Sequence, residues 1–157
     1  MRPSGELRVA SGWASEKGRR NSNEDYAGLY LPTAGELARH GLVAAVADGV
    51  GGAKGGRVAA ELTIRSFIDG YYTQPDTIGI PMAGARVING TNRWLRTQGQ
   101  TDTALEGMAT TFTTLIMRGR RAHVLHVGDS RAYHFTDGRL VRLTRDHVLD
   151  QPDLRHV

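Results

Sequence analysis

The segment Asp48-Gly49-Val50-Gly51-Gly52 constrains this chain more than any other part of its sequence. It follows an unbroken apolar run at residues 42–47, which predicts a strand buried on both faces. A carboxylate at the end of such a strand needs a partner, and a metal ion or a hydrogen-bonded cation is the usual one. The glycines that follow let backbone atoms come close to that partner. The segment therefore indicates metal and phosphate chemistry.

Length and composition limit the classes of protein to which the chain can belong. Its 157 residues, 39% of them apolar and 23% charged, predict one folded domain. Because cysteine is absent, disulfide scaffolds, thiolate zinc sites and cysteine nucleophiles are excluded. No stretch is apolar enough to span a membrane, and the first residues lack the apolar core of a secretory signal. We therefore expect a cytoplasmic protein with no membrane partner.

The formal net charge of +4 is compatible with nucleic-acid binding. The arginines, however, are spread along the chain, with short pairs at residues 19–20 and 120–121. Nucleic-acid recognition would gather them on one face with aromatic residues or a recognition motif. We therefore predict a dispersed, solvated basic surface and no nucleic-acid partner.

Hydrophobic periodicity predicts two helices in the middle of the chain. The first covers residues 57–72, where Ala60, Ile64, Phe67 and Tyr71 fall on one helical face. A loop with Pro75 and Pro81 follows. The second helix carries one stripe, formed by Gly84, Val87, Ile88, Thr91 and Leu95. Residues 98–106 are polar, which predicts a mobile connection.

The rest of the chain favours strands. They are predicted at residues 7–14, 26–31, 42–47, 110–117, 122–127, 132–135 and 140–143, with a polar loop at 15–25 and a short insertion at 33–40. Asp137-Gly138 is a strong two-residue hairpin turn, since both residues tolerate positive φ angles. Antiparallel strands flanking two helices indicate a layered α+β fold.

Acidic residues stand at three predicted strand ends, namely Glu24-Asp25, Asp48 and Asp129. Because side chains alternate along a strand, Glu24 and Asp25 cannot both point the same way. One of them can bind an ion directly while the other holds an ordered water or lies farther out. Oxygen ligands without cysteine favour magnesium or manganese over zinc. Arg20 adds a planar guanidinium that matches two phosphate oxygens.

Each of these elements has an ordinary structural explanation when taken alone. Glu24-Asp25 is typical of a solvated loop, Asp48-Gly49 of an Asx turn, and Asp129-Ser130 of a hairpin. The glycine-rich segment fails as a nucleotide loop, because Lys54 is followed by Gly55 and the dinucleotide spacing is also broken. The occurrence of all three acidic elements in this order is what favours a functional site.

Together these segments resemble the metal-dependent serine/threonine protein phosphatases of the PPM type, also called protein phosphatase type 2C, in their bacterial form. The matching segments run in family order over nearly the whole chain, at residues 20–25, 46–52 with Gly56 and 59–60, 109–111, 127–133 and 143–147. The resemblance implies an α-β-β-α sandwich of two antiparallel sheets flanked by helices.

The resemblance also implies roles for individual residues. Asp48 would bridge two Mn²⁺ or Mg²⁺ ions, with the carbonyl of Gly49 joining one of them. Asp25 and Glu24 would serve the same metal, one directly or through water, and Asp129 would help to hold a third, weaker ion.

The implied reaction is hydrolysis of phosphoserine and phosphothreonine in proteins by water that two metal ions activate. Arg20 would grip the substrate phosphate, so Arg20 and Asp48 are the expected catalytic residues. Phosphorylated proteins are the expected substrates, and a cognate serine/threonine kinase is a further expected partner.

The chain departs from the family pattern in two ways. Val50 stands where many eukaryotic relatives have histidine, and two further metal-binding aspartates are missing. We therefore interpret residues 1–157 as the N-terminal two-thirds of one phosphatase domain, incomplete at its C-terminus and weakly active or inactive. Two alternatives stay open, a pseudophosphatase that binds phosphoproteins as a regulatory module and a hydrolase of small phosphate esters.

Overall fold

The computed structural model describes residues 8–50 and 52–147. Its elements follow in the order β1 (Asp25–Tyr30), α1 (Ala34–Arg39), β2 (Leu42–Val50), α2 (Gly52–Tyr72), α3 (Ile80–Thr101), β3 (Ala109–Thr110), β4 (Phe112–Arg118), β5 (Arg121–Val127), β6 (Tyr133–Thr136) and β7 (Arg139–Arg142). A 3₁₀ turn at Thr103–Leu105 precedes β3.

The strands form two antiparallel sheets. Strands β1, β2, β4 and β5 lie side by side in that order, and the short β3 pairs with the last two residues of β2. Strands β6 and β7 form a separate hairpin. Its turn has Asp137 at φ 49° and Gly138 at φ 73°, as the Asp-Gly pair predicts. The predicted α+β class with antiparallel sheets and helices is therefore confirmed.

One face of the larger sheet packs on helices α2 and α3 to form the core. Alternate residues of β2 point toward the helices, so Val43, Ala45 and Ala47 are buried there. They meet an apolar stripe on α2 at the predicted helical spacing, formed by Ala60, Ile64, Phe67 and Tyr71. This packing fixes the position of β2 and therefore of the residues at its end.

The other face of the sheet is largely open in the described part of the chain. Val46 is 46% exposed, so the prediction that residues 42–47 are buried on both faces is wrong. Residues 11–13 lie across this face and leave a cavity of ≈ 570 Å³ above β1, β2 and β4. The predicted strand at residues 7–14 is also wrong for residues 8–14, which have no backbone ladder, since no described strand runs beside them.

The helices are longer than the sequence pattern indicated. Helix α2 begins at Gly52 rather than at residue 57, and α3 continues to Thr101, so the predicted mobile connection at 98–106 is partly helix. Pro81 lies in the first turn of α3, where its missing N–H costs nothing. The predicted insertion at 33–40 contains α1, which Thr33 and Glu36 begin with a capping box.

No helix in the part of the chain described here is long and apolar enough to cross a membrane. Three predictions concern residues outside that part. They are the first residue of the strand at 7–14, the role of Gly51 in the glycine segment, and the incomplete end at residues 150–157.

Candidate metal and phosphate site

Asp25 and Asp48 face each other across neighbouring strands. They occupy directly opposed positions in the antiparallel pair of β1 and β2, so their side chains project from the same face. That face is the open one, because Asp25 and Asp48 are both exposed while Ala47 is buried. The structure corrects the expectation that Asp48 lies in a buried environment after the strand, since β2 continues past it to Val50.

The electrostatic environment of Asp48 disfavours its charged form. Partial desolvation raises its pKa above the ordinary value of 3.8, and the neighbouring Asp25 carboxylate raises it further through repulsion and hydrogen bonding. Asp129 raises the pKa in the same direction, whereas the positive charge of Arg20 lowers it. Side chains from three other positions of the sequence therefore act on the Asp48 carboxylate in the folded chain.

The backbone of Asp48 is held by two consecutive threonines. Its N–H donates to Oγ1 of Thr111 at 2.9 Å, and its carbonyl accepts from the N–H of Thr111 at 2.9 Å and from Oγ1 of Thr110 at 3.0 Å. Thr111 lies at the break between β3 and β4, both of which pair with β2. The position of Asp48 is thus fixed independently of its own side chain.

Asp129 follows β5 in a loop held by the residues of the last matching segment. The N–H of His147 donates to the Gly128 carbonyl at 2.8 Å, and the N–H of Gly128 donates to Nδ1 of His147 at 3.3 Å. Arg131 grips Asp146 with two guanidinium nitrogens, the shorter contact being 2.7 Å. The segments 127–133 and 143–147 thus form one clamp that holds the loop of Asp129.

Arg20 lies in the loop before β1 and lines an open cleft of ≈ 720 Å³. The same cleft is lined by Glu24, Asp25, Asp48 and Gly49. The guanidinium can bind an anion such as phosphate, and the carboxylates can bind cations beside it. All the predicted site residues except Asp129 therefore border one cleft.

Glu24 has surroundings different from those of Asp25. Its carboxylate accepts from Oγ of Ser22 at 3.2 Å and lies against Gly56 in α2, where a side chain would collide with it. Gly49 packs on the backbone of Gly56 in the same way. These glycines let β2 and α2 approach each other, so close backbone packing explains them in addition to any ligand.

The donors fit a hard divalent cation. Among residues 8–50 and 52–147, no three histidine, aspartate or glutamate side chains are gathered closely enough to hold an ion by themselves. Magnesium, however, keeps several water ligands and is commonly bound through one or two carboxylates. Asp25 and Asp48 supply such a pair, and a cation would relieve the repulsion that raises the pKa of Asp48.

Several residues that support the site have no role predicted from the sequence. Thr111 and Ser130 share a hydrogen bond of 2.7 Å between their hydroxyls. Arg57 donates to the Asp25 carbonyl at 2.6 Å while its guanidinium lies 5.1 Å above the Tyr26 ring. Thr111 and Ser130 both fall within segments that match the family, and this match is the feature of the sequence that could have identified them. Their contact could not be predicted locally, because it spans 19 positions of the chain.

Comparison with known proteins gives consistent results. The family described as protein phosphatase 2C matches residues 17–150. The chain is 34% identical over 134 residues to the serine/threonine protein phosphatase PstP of Mycobacterium tuberculosis, covering 84% of this chain and 24% of that relative. It is 30% identical over 148 residues to the serine/threonine phosphatase stp of Listeria monocytogenes, covering 90% of this chain and 56% of the relative.

A solved structure is also similar. The catalytic domain of PstP in complex with 2 manganese ions superimposes with a TM-score of 0.66 at 32% identity, covering 85% of this chain and 54% of the other. The chain thus spans between about a quarter and just over half the length of the relatives named here.

Proposed function

Because the chain belongs to the protein phosphatase 2C family, we propose that it takes part in metal-dependent hydrolysis of phosphoserine and phosphothreonine in proteins. One observation carries this proposal. Asp25 and Asp48 project from the same sheet face into a cleft that Arg20 also lines, so cation ligands and a phosphate-binding group share one site. The named relatives are serine/threonine phosphatases, which supports the same substrate class.

Asp48 and Asp25 are the proposed ligands of two Mn²⁺ or Mg²⁺ ions, with the Gly49 carbonyl and Glu24 beside them and Asp129 near a third, weaker ion. When bound, such ions lower the pKa of water and neutralise charge on the phosphoryl group. The chain's own part is to keep the carboxylates opposed. The antiparallel register does this for Asp25 and Asp48, and the bonds from Thr110 and Thr111 hold the Asp48 backbone.

Arg20 is the proposed phosphate-binding residue. Its guanidinium can donate two parallel hydrogen bonds to a phosphoryl group, which fixes the orientation of that group as well as its position. The residue stands in the loop before β1, where its N–H donates to the Lys17 carbonyl at 3.2 Å. Lys17 lines the same cleft and adds a second positive charge to it.

We infer that residues 1–157 alone hold the ions weakly and hydrolyse phosphopeptides slowly. The family pattern requires two further aspartate ligands, and the later aspartates in the described part of the chain have other roles. Asp137 forms the hairpin turn with a φ of 49°, and Asp146 is paired with Arg131 and Arg142. Rapid Mn²⁺-dependent hydrolysis by the chain would contradict this inference and would support the proposal that residues 1–157 are an active phosphatase.

The test compares phosphopeptide hydrolysis by the parent chain, R20A and R19A, each with and without Mn²⁺. We expect slow, Mn²⁺-dependent phosphate release that falls by about 100-fold in R20A, because the oriented charge on the phosphate is lost. R19A is the matched control. It removes the same charge from the neighbouring position, and Arg19 does not line the cleft. Equal losses in the two variants would reject the proposed role of Arg20.

The alternatives are distinguished by adding a phosphopeptide-binding measurement and a second substrate, p-nitrophenyl phosphate, to this experiment. A pseudophosphatase would bind the phosphopeptide without Mn²⁺ and release no phosphate. A hydrolase of small esters would cleave p-nitrophenyl phosphate faster than the phosphopeptide at equal concentration. The cognate kinase and the cytoplasmic location stay predictions that this experiment does not address.

A further inference from the structure

Two consecutive hydrogen bonds through the Thr111 side chain connect Asp48 to the residue after Asp129. The N–H of Asp48 donates to Oγ1 of Thr111 at 2.9 Å, and the same hydroxyl is bonded to Oγ of Ser130 at 2.7 Å. Ser130 is the residue after Asp129. The Thr111 hydroxyl therefore joins the strand that carries Asp48 to the loop that carries Asp129.

The methyl group of Thr111 makes a second contact with the same loop. Gly128 has a φ of 105° and packs so closely that a Cβ there would lie 2.7 Å from Cγ2 of Thr111. Thr111 is 9% exposed, so solvent reaches little of its side chain. Its hydroxyl and its methyl group thus perform separable tasks, one of hydrogen bonding and one of packing.

We propose that Thr111 is a positioning residue whose hydroxyl couples Asp48 to the Asp129 loop, so that cation binding at Asp48 depends on it. This inference rests on the proposed function, because it concerns the same cation site. Without the hydroxyl, the Asp48 N–H and the Ser130 hydroxyl each lose a partner, and the hydrogen-bonded link between the Asp48 strand and the Asp129 loop is broken.

Two substitutions separate the tasks of the side chain. T111V keeps the branched shape and the contact with Gly128 but removes the hydroxyl, whereas T111S keeps the hydroxyl and removes the methyl group. The matched control is T114V on β4. Thr114 is 1% exposed and its hydroxyl donates to the Ala44 carbonyl at 3.0 Å, so T114V also deletes one buried threonine hydrogen bond, away from the carboxylates.

The first measurement is the affinity of each 157-residue variant for Mn²⁺ alone, followed by the electron paramagnetic resonance signal of the free ion. We expect about 10-fold weaker binding in T111V, comparable with the loss of a group that orients a metal ligand, and less than about 3-fold change in T111S and T114V. The second measurement is hydrogen exchange of the Asp48 amide without metal, which should accelerate in T111V and stay unchanged in T114V.

A double-mutant cycle tests whether the contact with Ser130 carries the effect. S130A should weaken Mn²⁺ binding, and the double variant T111V/S130A should be no weaker than T111V alone, because both changes break the same bond. The pair T111V/T114V should instead be additive. Additive losses for T111V and S130A would overturn the link through Ser130.

The outcomes distinguish this inference from the proposed function. If the parent chain binds Mn²⁺ and T111V binds it equally well, the inference fails and the proposed function stands. Equal weakening in T111V and T114V would also overturn the inference, since it would indicate a general loss of stability. A parent chain that binds no Mn²⁺ at millimolar concentration would overturn the proposed function and the inference with it.

Discussion

Asp48 and Asp146 carry the same side chain, and their environments shift its pKa in opposite directions. The pKa of Asp48 is raised, first by desolvation and then by Asp25, which stands directly across from it. The pKa of Asp146 is lowered, chiefly because Arg131 donates hydrogen bonds to the carboxylate. Arg142 also contacts Asp146, so this carboxylate has two cations of its own.

The difference separates a carboxylate with a structural task from one that is available to a ligand. Asp146 is compensated within the chain and clamps the segment that holds Asp129. Asp48 faces other carboxylates, and the folded chain alone gives it little compensation. A folded chain that keeps such repulsion is expected to relieve it with a bound cation, whereas a satisfied carboxylate gains little from one.

The largest expected effect comes from D48N. Asparagine keeps the shape of the side chain but removes the charge, so we predict that affinity for Mn²⁺ falls by at least about 100-fold. Without metal, the melting temperature should stay the same or rise, because the repulsion with Asp25 is gone. Titration with Mn²⁺ and thermal melts by circular dichroism measure the two effects. If D48N lost thermal stability as well as affinity for Mn²⁺, Asp48 would have a structural task like that of Asp146, and the two carboxylates could no longer be distinguished by function.

A second prediction compares Asp25 with Glu24. Asp25 faces Asp48, whereas the Glu24 carboxylate is turned to Ser22 and Gly56. We expect D25N to weaken Mn²⁺ binding by about 100-fold and E24Q by about 10-fold, as for a direct ligand and a group that acts through water. Calorimetric titration of both variants tests the order. A larger loss in E24Q would assign the direct contact to Glu24.

Much of this arrangement follows from local sequence. The apolar stripe at Ala60, Ile64, Phe67 and Tyr71 predicts the packed face of α2, and Asp137-Gly138 predicts the hairpin turn. Both patterns depend on residues close together in the chain. The joint occurrence of Arg20, Asp25, Asp48 and Asp129 predicts the family, although none of these residues alone does so.

The features that escaped prediction depend on distant contacts. The start of α2 at Gly52 runs against the low helix propensity of glycine, and close packing of Gly49 on Gly56 explains why glycines are found there. Residues 8–14 are predicted to form a strand but have no neighbouring strand to pair with in the described part of the chain. The role of Thr111 depends on hydrogen bonds that span 63 positions to Asp48 and 19 to Ser130.

A third prediction concerns Asp146 and is the reverse of the first. D146N should leave Mn²⁺ affinity within about 3-fold of the parent while lowering the melting temperature by about 2–4 °C, because the charge-assisted bonds to Arg131 and Arg142 are weakened. The matched control is R145Q, which removes a charge next to Asp146 from a residue outside this ion pair. A D146N chain that melts like its parent would show that the clamp does not contribute to stability.

The smallest expected effect is a pair of opposite pH dependences without metal. At pH values just above 3.8, the unfolded chain releases the Asp48 proton before the folded chain does, so the contribution of Asp48 to stability decreases as pH rises through its raised pKa. The melting temperature of D48N minus that of the parent should therefore increase as the pH rises from 3.8 through the raised pKa of Asp48, and then level off.

Asp146 behaves in the opposite way, because its pKa in the folded chain lies below 3.8. Its contribution to stability is lost only as the pH falls through this lowered pKa. The deficit of D146N should accordingly be constant near neutrality and shrink in acid. Melting curves of the three proteins in one buffer series decide the matter, and parallel curves for D48N and its parent would mean that the environment of Asp48 does not raise its pKa.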